Sequence, residues 1–262
     1  MHNIIDKKKL IEEKNKAFET WEKNFIFSKF SKILFQKIVE LKPRYKNILL
    51  ITSDLDETAN EVSRIKCKNF IYLSQYNCLL KRNLIEKSFN KVFAFFDKIP
   101  IRNNSIDLVI CNFCINNIED KKSYLSKLYN ILSDDGLFIC NFFGEQTLDE
   151  LKYSFIEADE KFYKGSYTRI PQNIRMADFS NFISNIGFKE IVTEKVNYEV
   201  FYKNILSLLK DIRATGESNI YKYKRKPISK SYLKYTEQIY KKKFKLKASI
   251  DIISVSSWKN MK

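Results

Sequence analysis

Between Ile106 and Phe143 the chain sets two short apolar runs on either side of one amphipathic stripe. Ile106-Asp107-Leu108-Val109-Ile110-Cys111 is nearly continuous in apolar character and bounded by polar residues, as a strand covered on both faces requires. Lys121 to Leu132 repeats apolar side chains at Tyr124, Leu125, Leu128, Ile131 and Leu132, the spacing of a helix with one buried face. Asp134-Asp135-Gly136 then breaks the pattern, with Gly136 placed for a helix C-cap, and Leu137 to Phe143 forms a second apolar run. Two strands joined through a helix lie parallel with a right-handed crossover, so a parallel sheet follows.

The flanking segments extend the same alternation. Strands are expected at Ile48–Ile51, Phe70–Leu73 and Val92–Phe95, with helices at Thr58–Ile65 and Leu79–Ile85 between them. Residues 4–42 read as mostly helical, with Phe30, Ile33, Leu34, Ile38 and Leu41 in one stripe before Pro43. Lys7 to Lys16 is charged on most faces and reads as a solvated helix. After Gly144 the pattern gives helices at 146–162, 176–186 and 201–214, a strand at 190–198, a helix through Ile239 and a final alternating strand at 247–258. No repeat or low-complexity linker interrupts the chain. Residues 1–45 therefore read as a helical extension and 46–262 as one compact unit.

Composition narrows the function classes. With 44% hydrophobic and 15% aromatic residues in 262, the chain can bury a full core. The 47 Lys and Arg against 31 Asp and Glu give a formal charge of +16, but lysine is spread through almost every segment. A nucleic-acid partner is therefore not expected, although Lys222–Lys230 with Tyr221 and Tyr223 is basic and aromatic. Five cysteines sit mostly in apolar runs, which suits a reducing compartment, and Cys111-Asn112-Phe113-Cys114 lacks the second ligand pair a zinc site needs. No apolar run reaches the ~18 residues that span a bilayer. The cytoplasm is the expected compartment. His2 is the only histidine, so no mechanism with an imidazole base or ligand is expected.

The run Ile99-Pro100-Ile101 through Ile110 and the run Leu128-Tyr129-Asn130-Ile131-Leu132 through Gly136 resemble motifs of class I methyltransferases. This resemblance implies an α/β, Rossmann-like, doubly wound and mostly parallel seven-stranded sheet. It further implies an added N-terminal helix, a C-terminal helical insertion, and S-adenosylmethionine (SAM) bound at the strand tips. Ser53, Asp54, Tyr72, Asp97, Ile99, Asn112 and Phe113 are then the cofactor-binding candidates. The turn after the first strand departs from the family: Thr52-Ser53-Asp54-Leu55-Asp56-Glu57 has no glycine, and all five glycines lie at or after position 136. Tyr72 stands where the ribose-binding acid is usual, and Phe95 where an adenine-contacting acid is common.

Further motifs narrow the branch. Asn3-Ile4-Ile5-Asp6, Thr147-Leu148-Asp149-Glu150-Leu151, Arg169-Ile170-Pro171, Arg175-Met176-Ala177-Asp178 and above all Asp211-Ile212-Arg213-Ala214-Thr215-Gly216-Glu217-Ser218-Asn219 are similar to those of the complex I assembly-factor branch. That branch includes an arginine hydroxylase and alphaproteobacterial relatives, and stands near the malonyl-carrier-protein methyltransferase of biotin synthesis. The resemblance implies a protein substrate, a respiratory-chain subunit, contacted through Arg213, Glu217, Ser218 and Asn219. The alternative is a catalytically degenerate fold that acts as an assembly chaperone. Because the likeness begins near residue 3, a bacterial cytoplasmic protein is expected, with the mitochondrial matrix as the alternative. Ile115-Asn116-Asn117 replaces the family's Leu-His-Trp.

Overall fold

The computed structural model describes residues 5–19, 25–41, 44–54, 57–80, 90–170, 173–218, 220–222 and 226–260. Helices α1 (Lys7–Glu19) and α2 (Phe25–Leu41) precede the sheet, followed by β1 (Arg44–Thr52), α3 (Glu57–Val62), β2 (Lys66–Ser74), α4 (Asn77–Leu80) and β3 (Asn90–Phe93). Next come β4 (Ile106–Asn112), a 3-10 turn (Ile115–Asn117), α5 (Lys121–Ile131), β5 (Leu132–Phe143), α6 (Asp149–Tyr163) and α7 (Met176–Ile186). The chain closes with β6 (Lys189–Phe201), α8 (Ile205–Ala214), α9 (Lys230–Phe244) and β7 (Lys247–Trp258).

The seven strands form one sheet in the order β3-β2-β1-β4-β5-β7-β6. Pairs within β3 to β5 are parallel, whereas β7 runs antiparallel to both β5 and β6. Ile48 to Ile51 and Leu108 to Cys111 are fully buried, since helices cover both faces of the central strands. Each such aliphatic side chain stabilises by about 1.5–3 kcal/mol relative to exposure. The strand order reverses between β1 and β4, and this switch point opens a crevice at the carboxyl ends of the strands.

Helix α5 forms where its stripe predicts: Tyr124, Leu125, Leu128 and Ile131 are buried, and the Asp120 carboxylate accepts the Ser123 N–H at 2.9 Å as its N-cap. Its end differs from expectation. The helix stops at Ile131, Leu132 turns extended, and Asp135 rather than Gly136 takes positive φ. Gly136 lies within β5, where a Cβ would stand 2.7 Å from the Ser133 carbonyl. Close backbone approach, and not capping, explains it. Leu41, expected in the buried stripe of α2, is exposed at the last residue of that helix. The helix expected at 201–214 starts at Ile205, because β6 continues to Phe201 against β7. The helix expected at 79–85 runs largely outside the described residues.

The C-terminal insertion consists of α8 and α9, placed between β6 and β7. With α6 it builds a second core around Leu151, Phe155, Leu208, Tyr232 and Tyr240, set beyond the strand tips. Gly187 ends α7 at φ 115°, and the Phe188 N–H reaches the Ile183 carbonyl at 3.2 Å. Replacing Gly187 with Ala is expected to cost about 1–2 kcal/mol, the strain of a side chain at positive φ. Urea unfolding measures this, and an unchanged midpoint would show that the turn relaxes freely.

Candidate functional site at the strand tips

The crevice at β1 and β4 is closed from within. The Ser53 N–H extends the β1–β4 ladder by donating to the Asn112 carbonyl at 3.1 Å. The next carboxylate, Asp54, is fully buried and accepts from the Thr58 hydroxyl, from Asn112 Nδ2 at 3.2 Å and from the Ser31 hydroxyl at 3.4 Å. Burial pushes its pKa up, against hydrogen bonds from Thr58, Thr52 and Asn112 that favour the anion. Tyr72 is buried in the core at the end of β2. Phe113, at φ 54°, packs its ring 4.8 Å from Phe27 and 5.0 Å from Phe143. Tyr76, which sequence reasoning missed, fills the space above Ser53, with its hydroxyl 3.4 Å from Ser53 Oγ.

Helix α1 crosses these tips, and its charged face is not all solvated. Lys14 has no exposed surface. Its ammonium donates to the Ser53 carbonyl at 2.5 Å and the Thr215 carbonyl at 2.7 Å. Glu217 Oε1 stands 2.9 Å away at an angle unsuited to a hydrogen bond, so that contact is an ion pair. The Phe27 and Tyr76 rings lie 5.9 and 5.7 Å from the nitrogen. Gly216 makes room: at φ 67°, a Cβ there would stand 2.9 Å from Lys14 Cα. No periodic signal in the sequence separates Lys14 from its solvated neighbours.

Five of the seven cofactor candidates, Ser53, Asp54, Tyr72, Asn112 and Phe113, thus converge at the tips, all buried. Ile99 is buried in the same core, whereas Asp97 lies half-exposed and receives Lys7 Nζ at 2.8 Å, which holds its carboxyl below the usual range. Beside them, between the tips and the α6–α8–α9 lobe, opens a cavity of about 560 Å³. Arg213, Glu217 and Ser218 line it among mostly apolar side chains such as Phe143, Leu151 and Ile212, and none of the seven cofactor candidates does. Asn219 lies outside the described residues. Asn116 fixes the cavity's sheet-side wall: its amide donates to the Phe143 carbonyl at 2.9 Å and accepts the Phe143 N–H at 3.0 Å. On the lobe side Arg169 forms a buried, hydrogen-bonded ion pair with Asp159, Nε donating to Oδ1 at 2.8 Å and to Oδ2 at 3.0 Å and Nη2 to Oδ1 at 2.5 Å, while the Tyr232 hydroxyl donates to the same carboxylate at 2.8 Å.

Cys111 and Cys114 are buried with their sulfurs 2.7 Å apart beside the Tyr124 hydroxyl, and burial pushes the Cys114 thiol well up. Thiols with no exposed surface meet no substrate, so these two residues pack. Among the described residues no group of three His, Cys, Asp or Glu could hold a metal ion.

SAM, the cofactor implied by the sequence motifs, does not fit this arrangement. The Ser53 carbonyl is already taken by Lys14, and the Tyr76 and Phe27 rings and the Asp54 cluster occupy the crevice. No chemical step through that cofactor follows from the tips as they stand. The buried Asp54 carries a consequence for stability. A carboxyl whose pKa is raised by folding stabilises fully below its unfolded value, near 3.9, and the gain is lost as pH rises through the folded value. Asp54→Asn should therefore melt higher than the wild type at neutral pH, with the gap closing towards about pH 4. A gap that widens on acidification in thermal melts would contradict the assignment.

Residues 50–140 match the family described as "Methyltransferase domain". The chain is 25% identical over 173 residues to the mitochondrial arginine-hydroxylase NDUFAF5 of Danio rerio, covering 64% of this chain and 54% of that protein. It is 23% identical over 180 residues to the malonyl-[acyl-carrier protein] O-methyltransferase of Nitrosospira multiformis, covering 69% and 57%. The chain thus spans little more than half the length of these curated relatives. Its fold is similar to that of a SAM-dependent methyltransferase from Archaeoglobus fulgidus, with a TM-score of 0.51, 13% identity and coverage of 88% and 94%. Residues 50–140 thus match a methyltransferase domain, within a seven-stranded sheet whose fold is similar to that of solved SAM-dependent methyltransferases.

Proposed function

We propose that this chain acts on a protein partner in the assembly of respiratory complex I, with SAM as the cofactor of its fold. The cavity carries this reading. It opens beside the sheet's ligand-binding edge and is wide enough for a large side chain. Arg213, Glu217 and Ser218, from the loop whose sequence resembles the assembly-factor branch, stand on its wall. Its mainly apolar lining with a few convergent polar groups suits one inserted residue of a partner, oriented by hydrogen bonds. The similarity to NDUFAF5 supports the partner class, while the Nitrosospira relative supports transferase chemistry on the same scaffold. Free cysteines at 67, 111, 114 and 140 suit a reducing setting, either a bacterial cytoplasm or the mitochondrial matrix.

A second reading, an assembly chaperone without chemistry, is favoured by one observation: the cofactor crevice is filled by Lys14, Tyr76 and the Asp54 cluster. Both readings use the cavity. In cells that depend on this chain for respiration, Ile212→Trp, which fills the cavity, and Arg213→Ala, which removes an exposed guanidinium from its wall, should each lower assembled complex I several-fold on native gels. Normal assembly with both stably folded variants would remove the cavity from the function.

A further inference from the structure

We propose that the partner docks as an extended acidic segment, with one bulky apolar side chain in the cavity and its main chain on the groove beside α7. The inference rests on the reading that the cavity receives one residue of a protein. Exposure separates the floor of the cavity from its mouth. Leu151, Phe155, Leu208 and Ile250 are buried and form the floor, whereas Arg213, Lys226 and Ile228 are exposed and form the rim. An apolar floor under a charged rim seats one anchor side chain and steers its neighbours by charge.

The charge at the mouth is one-sided. Both carboxylates on the wall are engaged: Asp211 accepts the Tyr202 hydroxyl at 2.9 Å, and Glu217 faces Lys14 at 2.9 Å. Arg169 is engaged as well, by Asp159. Among the described residues, Arg213 and Lys226 pair with no acidic side chain. Lys222 and Lys230, close in the chain to the lining residues Tyr221 and Ile228, are exposed and pair with none either. The basic stretch noted in the sequence thus contributes Lys226 to the rim and further lysines beside it. Such a rim attracts carboxylates and repels a basic segment.

The surface continues past the cavity. Asn173 lines both the cavity and a polar groove of about 620 Å³, which Lys121, Asn181 and Asn185 also line. Asn181 and Asn185 are exposed and stand four residues apart on α7, so they share one face. A side-chain amide offers donors and an acceptor, as a peptide main chain does. A small amphiphile would use the cavity alone, whereas an extended chain meets cavity, rim and groove together.

Panning a random peptide library on the immobilised full chain tests this, followed by titration of the best peptide. Selected sequences should carry Phe, Trp, Tyr, Leu or Met with Asp or Glu beside it. Arg213→Glu with Lys226→Glu should weaken that peptide at least about tenfold at low salt. Lys241→Glu with Lys242→Glu, at the other end of α9, should change it by less than about threefold. Ile212→Trp should abolish binding, and Asn181→Leu with Asn185→Leu should weaken it several-fold. The rim and groove changes fall on exposed residues, so they decide the matter where Ile212→Trp fails to fold. Selected sequences that are basic, or that lack the apolar anchor, overturn the inference. So does a peptide indifferent to the rim, cavity or groove changes, or as sensitive to Lys241 and Lys242 as to the rim. A selection that enriches nothing overturns it too. The cavity reading is scored separately, by complex I assembly with Ile212→Trp and Arg213→Ala, so it can stand when this inference falls.

Discussion

The turn after β1 has no glycine, and the architecture of the crevice follows from that. Without positive-φ freedom the chain cannot wrap closely round a ligand, so the polar groups at the strand tips need partners of their own. The protein provides them internally. Ser53 is satisfied by Asn112 on one side and Lys14 on the other, and Asp54 is enclosed by Thr58, Asn112 and Ser31. The same set of contacts joins α1, α2 and α3 to the switch point of the sheet. A buried carboxylate and a buried ammonium within one crevice are costly to hold without hydrogen-bond partners, which the short polar side chains round Asp54 and the two carbonyls at Lys14 supply.

Beyond the tips, the chain packs in two regions. The sheet and its covering helices form the main core, and α6, α8 and α9 form a smaller one around Tyr232. The cavity lies at their junction, held rigid by Asn116 on one wall and by the Arg169–Asp159–Tyr232 cluster on the other. Arg169 lies 4.6 Å from the Tyr232 ring centre, so its guanidinium is stacked as well as paired.

The fold was largely legible because its signals are local. The apolar periods of β4, α5 and β5 each occupy a dozen residues or fewer, and burial follows them residue by residue. Helix and strand ends were less legible: whether α5 is closed by Gly136 or by an extended Leu132 depends on the approach of Ser133 and Ile106, which no window of sequence contains. The segment from Asp211 to Ser218 stood out by its motif, and its Arg213, Glu217 and Ser218 line one cavity. The filling of the crevice was not legible. Lys14 looks like any lysine of a solvated helix, and its partners lie 39 and 201 residues away in sequence.

The lobe that walls the cavity leaves the sheet and returns to it at one point. Phe201 closes β6 directly opposite Lys247, where β7 begins, so the two attachment points are about one strand spacing apart, ~5 Å. A segment whose chain ends already meet costs little to lengthen, shorten or exchange. The α8–α9 lobe is in that sense a graft on a hairpin. The shape of the cavity can change there while β1, β4 and β5 keep their register unchanged.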